Sequence, residues 1–229
     1  MSEAAPANPS APAPRRTQAA RSEAMRQRLI DAALRCLQTD GYAGTTVSRI
    51  IEEAEVSRGA PLHHFPSKSA LIAAAAEQLI KRIYIQMGRA VQRLEKSDDR
   101  LHDLIYASWK EVVNQPEHVM LNELLQASQR DAELAAIIQK LWTAGYLTLG
   151  AAAQHYLEPL GEKDDVHELM VLTQWVLRGM ALDMHIVASP TLYDRYLRLW
   201  SRVLADHLRA REDVSSPPPK PELWDSGKA

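Results

Sequence analysis

The sequence predicts an all-α protein, and three observations carry that reading. The 229 residues include only 9 glycines, while Ala, Leu, Glu, Arg and Gln, all good helix formers, dominate. Apolar residues recur at three- and four-residue spacing rather than in alternation. Capping residues and prolines punctuate the chain at intervals that suit about nine helices. With 46% hydrophobic and 24% charged residues, the chain is long enough for a small head and a larger body.

Residues 1–21, rich in Ala, Pro and Arg, are expected to form a disordered basic arm. The first helix spans about 22–39, with Leu29, Ile30, Ala33, Leu34 and Leu37 on its apolar face. Gly41 suits the left-handed residue that ends it. The second starts at Thr45-Thr46, turns Val47, Ile50 and Ile51 inward and ends near Glu53. Ser57 caps a short third helix that stops at His64-Phe65, ahead of Pro66. Ser67 caps a long fourth helix to about Lys96. Asp98 or Asp99 opens a fifth to Asn114, Pro116 a sixth to Gln129, and Asp131 a seventh to His155 or Leu157. Pro159 and Gly161 interrupt the chain. Asp164 then opens an eighth helix to Val187, and Ser189-Pro190 a ninth to Ala210. Residues 212–229 read as a flexible tail.

The second and third helices, joined by a turn of three or four residues, make a helix-turn-helix within 22–69. In that motif the second helix lies in the major groove. Thr45 and Thr46 offer hydroxyls and amides to phosphate oxygens. Ser57, Arg58, Gly59 and Ala60 form the entrance of the reading helix, and Arg58 has the planar fork that grips guanine. His63, His64 and Lys68 follow as phosphate or base contacts. A net charge of −2 looks unpromising for such a role, yet Arg15, Arg16, Arg21, Arg26, Arg28 and Arg35 face only Glu23 and Asp31 across 15–35.

The segment TTVSRIIEEAEVSRGAPLHHFPSKSAL, preceded by LIDAALRCLQTDGYAG, resembles the N-terminal domain of the TetR family of regulators. The match lies at Gly41, Tyr42, Thr45, Thr46, Ile50, Ala54, Val56, Ser57, Gly59, His64, Phe65, Lys68 and Leu71. The resemblance implies a homodimeric, ligand-responsive regulator, a repressor, that binds a palindromic double-stranded operator and is released by a small molecule. Three positions depart from the family pattern. Glu55 replaces a turn glycine where positive φ is common, Leu62 a phosphate-contacting tyrosine, and Pro61 removes an N–H from the first turn of the reading helix. These departures keep a second reading open, a helical adaptor whose head no longer recognises DNA.

The resemblance assigns residues 70–211 to effector binding and dimerisation. The eighth helix is apolar on nearly every side. The ninth carries one stripe through Tyr193, Tyr196, Trp200 and Val203 and another through Leu197, Leu204 and Leu208. Together they suggest a four-helix contact between subunits. Tyr106, Trp109, Met120, Leu124, Trp142, Tyr146 and Trp175 are candidates to line a ligand cavity, with core packing as the alternative for each. Arg178 and Asp183 need partners within the apolar eighth helix, across a dimer or on a ligand.

No catalytic residues, metal site or cofactor are expected. The chain lacks G-x-S-x-G, a phosphate loop and H-E-x-x-H. Asp164-x-x-His167 occurs only once, and His102, His118, His155, His185 and His207 read as ordinary surface or core residues. The single cysteine, Cys36, suits a buried apolar position. No apolar run is long enough to span a membrane and no secretory leader is recognisable, so a cytoplasmic location is expected.

Overall fold

The computed structural model describes residues 17–59, 63–93, 97, 99–212 and 214. Most of the N-terminal arm (1–16), Ala60, Pro61, Leu62 and most of the C-terminal tail therefore lie outside the described residues.

Helix α1 (Gln18–Gly44) starts earlier than the sequence suggested, because Thr17 caps it and accepts a bond from the Ala20 N–H at 3.2 Å. Residues 18–21, assigned above to the arm, are thus helical. Cys36 is fully buried on α1, and burial pushes its thiol pKa up. At Gly41 the backbone takes φ 66° and ψ −179°, and the chain makes one further turn to Gly44. A side chain at Gly41 would be strained by that φ, and its Cβ would lie 3.0 Å from a Glu123 carboxylate oxygen.

Helix α2 (Val47–Ala54) is capped by Thr46, whose Oγ1 accepts from the Arg49 N–H at 3.1 Å. It ends in a Schellman arrangement: Glu55 N–H donates to Glu52 O and Val56 N–H to Ile51 O. Glu55 sits in the left-handed region, φ 51° and ψ 49°, the positive φ expected where glycine is common.

Six more helices follow the reading helix. They are α3 (Lys68–Arg93), α4 (Arg100–Ser108), α5 (Pro116–Ser128), α6 (Ala132–Tyr156), α7 (Val166–Asp183) and α8 (Pro190–Ala205). Ser67, Asp99, Asp131 and Asp165 each cap one by accepting a backbone N–H three residues on. Residues 94–96, the expected end of the long fourth helix, lie outside the described residues. The helix expected to run to Asn114 changes character at Ser108. Trp109–Val113 is a π-helical turn, closed by Asn114 N–H on Trp109 O at 2.8 Å.

The last predicted helix stops at Ala205 instead of Ala210. Leu208–Ala210 instead forms a short strand, β2, antiparallel to β1 (Leu157–Pro159), with Leu157 opposite Ala210. Leu157 and Leu208 are both buried there. The Arg211 guanidinium fastens the pair by donating to the Gln154 and Leu157 carbonyls. Among the described residues no helix is long and apolar enough to cross a membrane.

Two apolar cores result. The first joins α1, α2, Phe65 and α3 to one face of α5 (Met120, Leu121, Leu124) and the first half of α6 (Leu134, Ile138, Leu141). The second joins α4, the π turn, the end of α6, α7, α8 and Leu208. The head is therefore seated on α3, α5 and α6 through continuous apolar packing.

Candidate nucleic-acid interface and body site

The outer face of the helix-turn-helix is built around exposed Thr46, Ser57, Arg58 and Gly59. Arg58 makes no ion pair among the described residues. A Cβ added at Gly59 would meet nothing within 4 Å, so the fold alone does not demand glycine there. His63, exposed, and His64, half-buried, are helical, and the helix ends at Phe65, which enters the first core. Ala60, Pro61 and Leu62 lie outside the described residues. The Lys68 ammonium stands 4.8 Å from the centroid of the Tyr42 ring, a cation–π contact that holds it at the base of the head.

Thr45 is a correction. It is fully buried, its Oγ1 donates to Gly41 O at 2.7 Å, and its N–H bonds the same carbonyl. A phosphate cannot reach it. Thr46 N–H likewise donates to Gly44 O at 2.9 Å, so neither threonine offers the free amide that the sequence suggested.

The basic segment is also less free than its composition implied. Arg35 bonds Glu53 at 2.7 Å, and that hydrogen bond holds the Glu53 carboxyl below its ordinary range. Arg28 reaches Glu55 at 3.4 Å, while Arg49 bonds Asp40 and Glu53. Arg26 stacks 5.3 Å from the Phe65 ring centroid. Exposed pairs contribute little to stability, but they fix where the charge sits. Glu55, in the turn after α2, is the partner of Arg28.

The head meets the body through carboxylates. Glu123 on α5 accepts the Tyr42 N–H at 2.8 Å. Asp131, the cap of α6, accepts from the Tyr42 hydroxyl at 3.2 Å, the Ser69 hydroxyl at 3.0 Å and the Leu134 N–H. The Leu134 N–H bond is the main cause of its lowered pKa. Glu133 accepts from Ser67 Oγ at 2.8 Å. The hydroxyl of Tyr42 is a weak acid made weaker by burial and by Asp131. Tyr42, just after Gly41, and the serines at the start of α3 thus join the two parts by polar contacts, beside the apolar packing of the first core.

The residues picked as cavity candidates scatter. Met120 and Leu124 belong to the first core, and Trp109 stacks on Tyr193 in the second, with centroids 5.3 Å apart. Tyr106 is exposed beside His102. Trp175 is 58% exposed and belongs to an outer stripe. Trp142 packs against the first core that holds Met120 and Leu124, and the Arg178 guanidinium lies 4.6 Å from its ring centroid. Tyr146 packs against His167, centroids 4.1 Å apart. Asp183 is exposed at the end of α7.

Helix α7 has three distinct faces. Val166, Met170, Thr173 and Leu177 enter the second core. Leu172, Trp175, Leu182 and, just beyond the helix, Ile186 are exposed at heptad-like spacing. His167, Gln174 and Arg178 form a third line, about a quarter-turn from each of the others. On α8 the buried set is Tyr193, Leu197, Ser201 and Leu204, and the exposed set Tyr196, Leu199 and Val203. The two stripes exist, but Tyr193 belongs to the buried one. Trp200 is half-buried between them and donates its indole N–H to Thr173 Oγ1 at 3.1 Å.

His118 is what the sequence reading missed. It is 3% exposed, both ring nitrogens lack a hydrogen-bond partner, and burial followed by the nearby Arg178 charge pushes its pKa down to about 4. The available signal was His118-x-x-x-Asn122, two polar side chains one turn apart within an otherwise apolar helix.

The comparisons with known proteins agree with this architecture. Residues 29–75 match the family model described as bacterial regulatory proteins, tetR family. The chain is 30% identical over 173 residues to the HTH-type transcriptional regulator CymR of Pseudomonas putida, covering 73% of this chain and 83% of the relative. Among solved structures it is similar to the multidrug binding protein EbrR complexed with imidazole, with TM-score 0.56, 23% identity, and coverage of 78% of this chain and 93% of that one. A regulator from Saccharomonospora viridis in complex with choline aligns with TM-score 0.58 and 18% identity over 82% of this chain and 99% of the other. With the family model on its helix-turn-helix and a curated relative matched along most of its length, this chain belongs to the TetR family and is a transcriptional regulator.

Proposed function

We propose that the protein is a cytoplasmic, homodimeric repressor that holds a palindromic operator and is released from it by a small molecule bound in the body. On this reading residues 22–69 read DNA and residues 70–211 bind the effector and the second subunit. Arg58 is the principal base contact. Thr46, Ser57, Gly59, His63, His64 and Lys68 support it, and Ala60 completes the entrance.

The observation that carries the reading is the junction at Tyr42. Glu123 within α5 and Asp131 at the cap of α6 both hold the same residue of the head. A ligand that moves α5 or α6 therefore moves the head. Two heads must enter successive major grooves roughly 34 Å apart, so a displacement of a few ångströms is enough to release them. The exposed apolar stripes of α7 and α8 support a dimer through the last two helices. The imidazole and choline complexes of similar proteins support a small-molecule effector.

The test is selection of genomic fragments by the purified protein, followed by a salt titration on the enriched site. A steep loss of affinity with salt is expected, from release of counterions by phosphate contacts. Arg58→Ala should lose at least about tenfold in preference for that site over random DNA. A flat salt dependence would overturn the reading in favour of a helical adaptor, and an unchanged preference would overturn the assignment of the reading helix.

A further inference from the structure

Unpartnered polar groups concentrate between α5 and α7. On α5 these are both ring nitrogens of His118 and, one turn on, Asn122 Oδ1; on α7 they are Gln174 Nε2 and, one turn on, Arg178 Nε. Each of these atoms is buried and without a hydrogen bond. Buried polar groups are almost always bonded, and leaving one open is costly, most of all near a charge. Among the described residues α5 and α7 both pack against α6 and the π turn but are not a closely packed pair. Their open faces nonetheless share one neighbourhood, since Trp142 of α6 packs against the first core that holds Met120 and Leu124 of α5 and also meets Arg178 of α7. Trp142 of α6 forms its apolar wall, 4.6 Å from the guanidinium. A π-helical turn beside it fits the usual association of such turns with functional sites.

From this arrangement we propose that the effector is an organic monocarboxylate, its carboxylate on Arg178 and its apolar part beside Trp142. The proposal rests on the reading of the body as an effector domain. Arg178 makes no ion pair among the described residues, and a planar guanidinium matches a carboxylate in bidentate fashion. His118 stays neutral down to about pH 4, so it adds hydrogen-bonding capacity without adding charge. One positive charge therefore awaits one negative one. A quaternary ammonium such as choline, held by one of the similar structures, would face the guanidinium and be repelled.

The experiment uses the full chain without DNA and a matched panel: benzoate, phenylacetate, hexanoate and octanoate, their primary amides, and the corresponding alkyl- and arylammonium ions. Melting temperature and tryptophan fluorescence are recorded for each. At least one carboxylate should raise the melting temperature by a few degrees at millimolar concentration, its amide by clearly less, and its ammonium counterpart not at all. Arg178→Met should weaken carboxylate binding by roughly tenfold or more, Arg178→Lys by less, and unliganded Arg178→Met should melt no lower than the wild type. Equal shifts by amides or ammonium ions, unchanged affinity in Arg178→Met, or no carboxylate response at all would overturn the proposal. So would a large destabilisation of unliganded Arg178→Met, which would make Arg178 a structural residue. Because no DNA is present, failure here leaves the salt titration free to succeed, and the converse also holds.

Discussion

Among the described residues the head leaves no buried polar side chain open, whereas the body leaves several open on α5 and α7. The contrast follows from side-chain chemistry. Buried Thr45, Ser108, Thr173 and Ser201 return their hydroxyls to the carbonyl four residues back, at 2.7 to 2.9 Å. A hydroxyl can satisfy itself on its own helix. An imidazole, an amide or a guanidinium cannot, and needs a partner from elsewhere. Among the described residues every buried orphan of this kind lies at Gln86 or beyond, and none lies in α1 or α2. The head is thus a sealed scaffold for an exposed reading face, while the body holds unspent hydrogen-bonding capacity facing inward. On the proposed function, that is the division of labour of a rigid reader coupled to a responsive sensor.

If the first core is sealed, truncating it should be the most damaging change. Leu79 of α3 is fully buried among residues from α1, α5 and α6. Leu79→Ala should cost about 2–5 kcal/mol in chemical denaturation, transfer and cavity contributions together. A loss below about 1 kcal/mol would mean that the packing is loose and the contrast false.

The open region should reveal itself through pH. His118 has its folded pKa lowered to about 4 from an ordinary 6.5, so the unfolded chain binds its proton first. Stability from this residue is fully present above pH 6.5, falls as pH drops through the window to about 4, and is then lost. Its contribution is about 3 kcal/mol at most, from one pKa unit being 1.36 kcal/mol. His118→Leu should flatten the stability profile between those values. An unchanged slope would show that His118 reaches solvent.

The junction should rank next. Glu123→Ala strips the acceptor from Tyr42 N–H and should destabilise by about 1–3 kcal/mol. The sharper measurement is effector response: head and body should become partly uncoupled, so that ligand still binds but releases DNA less effectively. Equal loss of binding and of release would place the damage in folding instead.

These regions differed in how readily the sequence disclosed them. The head was legible because its signals are local: Thr46 and Ser67 at caps, Gly41 at a positive φ, and Glu55 at the residue after α2. The fate of Thr45 was not, since whether its hydroxyl faces a phosphate or the Gly41 carbonyl depends on the bend of the helix before it. Met120 and Leu124 were recognised as apolar, but their periodicity could not say which of two cores receives them. The strand at Leu208–Ala210 was hidden because its partner lies about fifty residues away. Arg178 and Trp142 were identified separately, yet only tertiary packing could bring them to 4.6 Å, and only packing could isolate His118 from any partner.

The smallest predicted effect tests whether the head is sealed at the expense of its own backbone. Glu55 holds φ 51°, a region that disfavours any residue with a Cβ by roughly 1–2 kcal/mol. Glycine would remove that strain but add freedom to the unfolded chain, so Glu55→Gly should stabilise the protein by about 1 kcal/mol or less. The same change frees Arg28, whose 3.4 Å contact with Glu55 is broken, and removes a negative charge from the turn between α2 and the reading helix. Affinity for random DNA should therefore rise together with stability, and its salt dependence should steepen by as much as one further phosphate contact. Glu55→Gln separates the two effects, since it keeps the strained backbone and discards the charge. If Glu55→Gln binds DNA like the wild type while Glu55→Gly binds better, backbone geometry controls the reading helix. If both improve alike, Glu55 restrains DNA binding through charge alone.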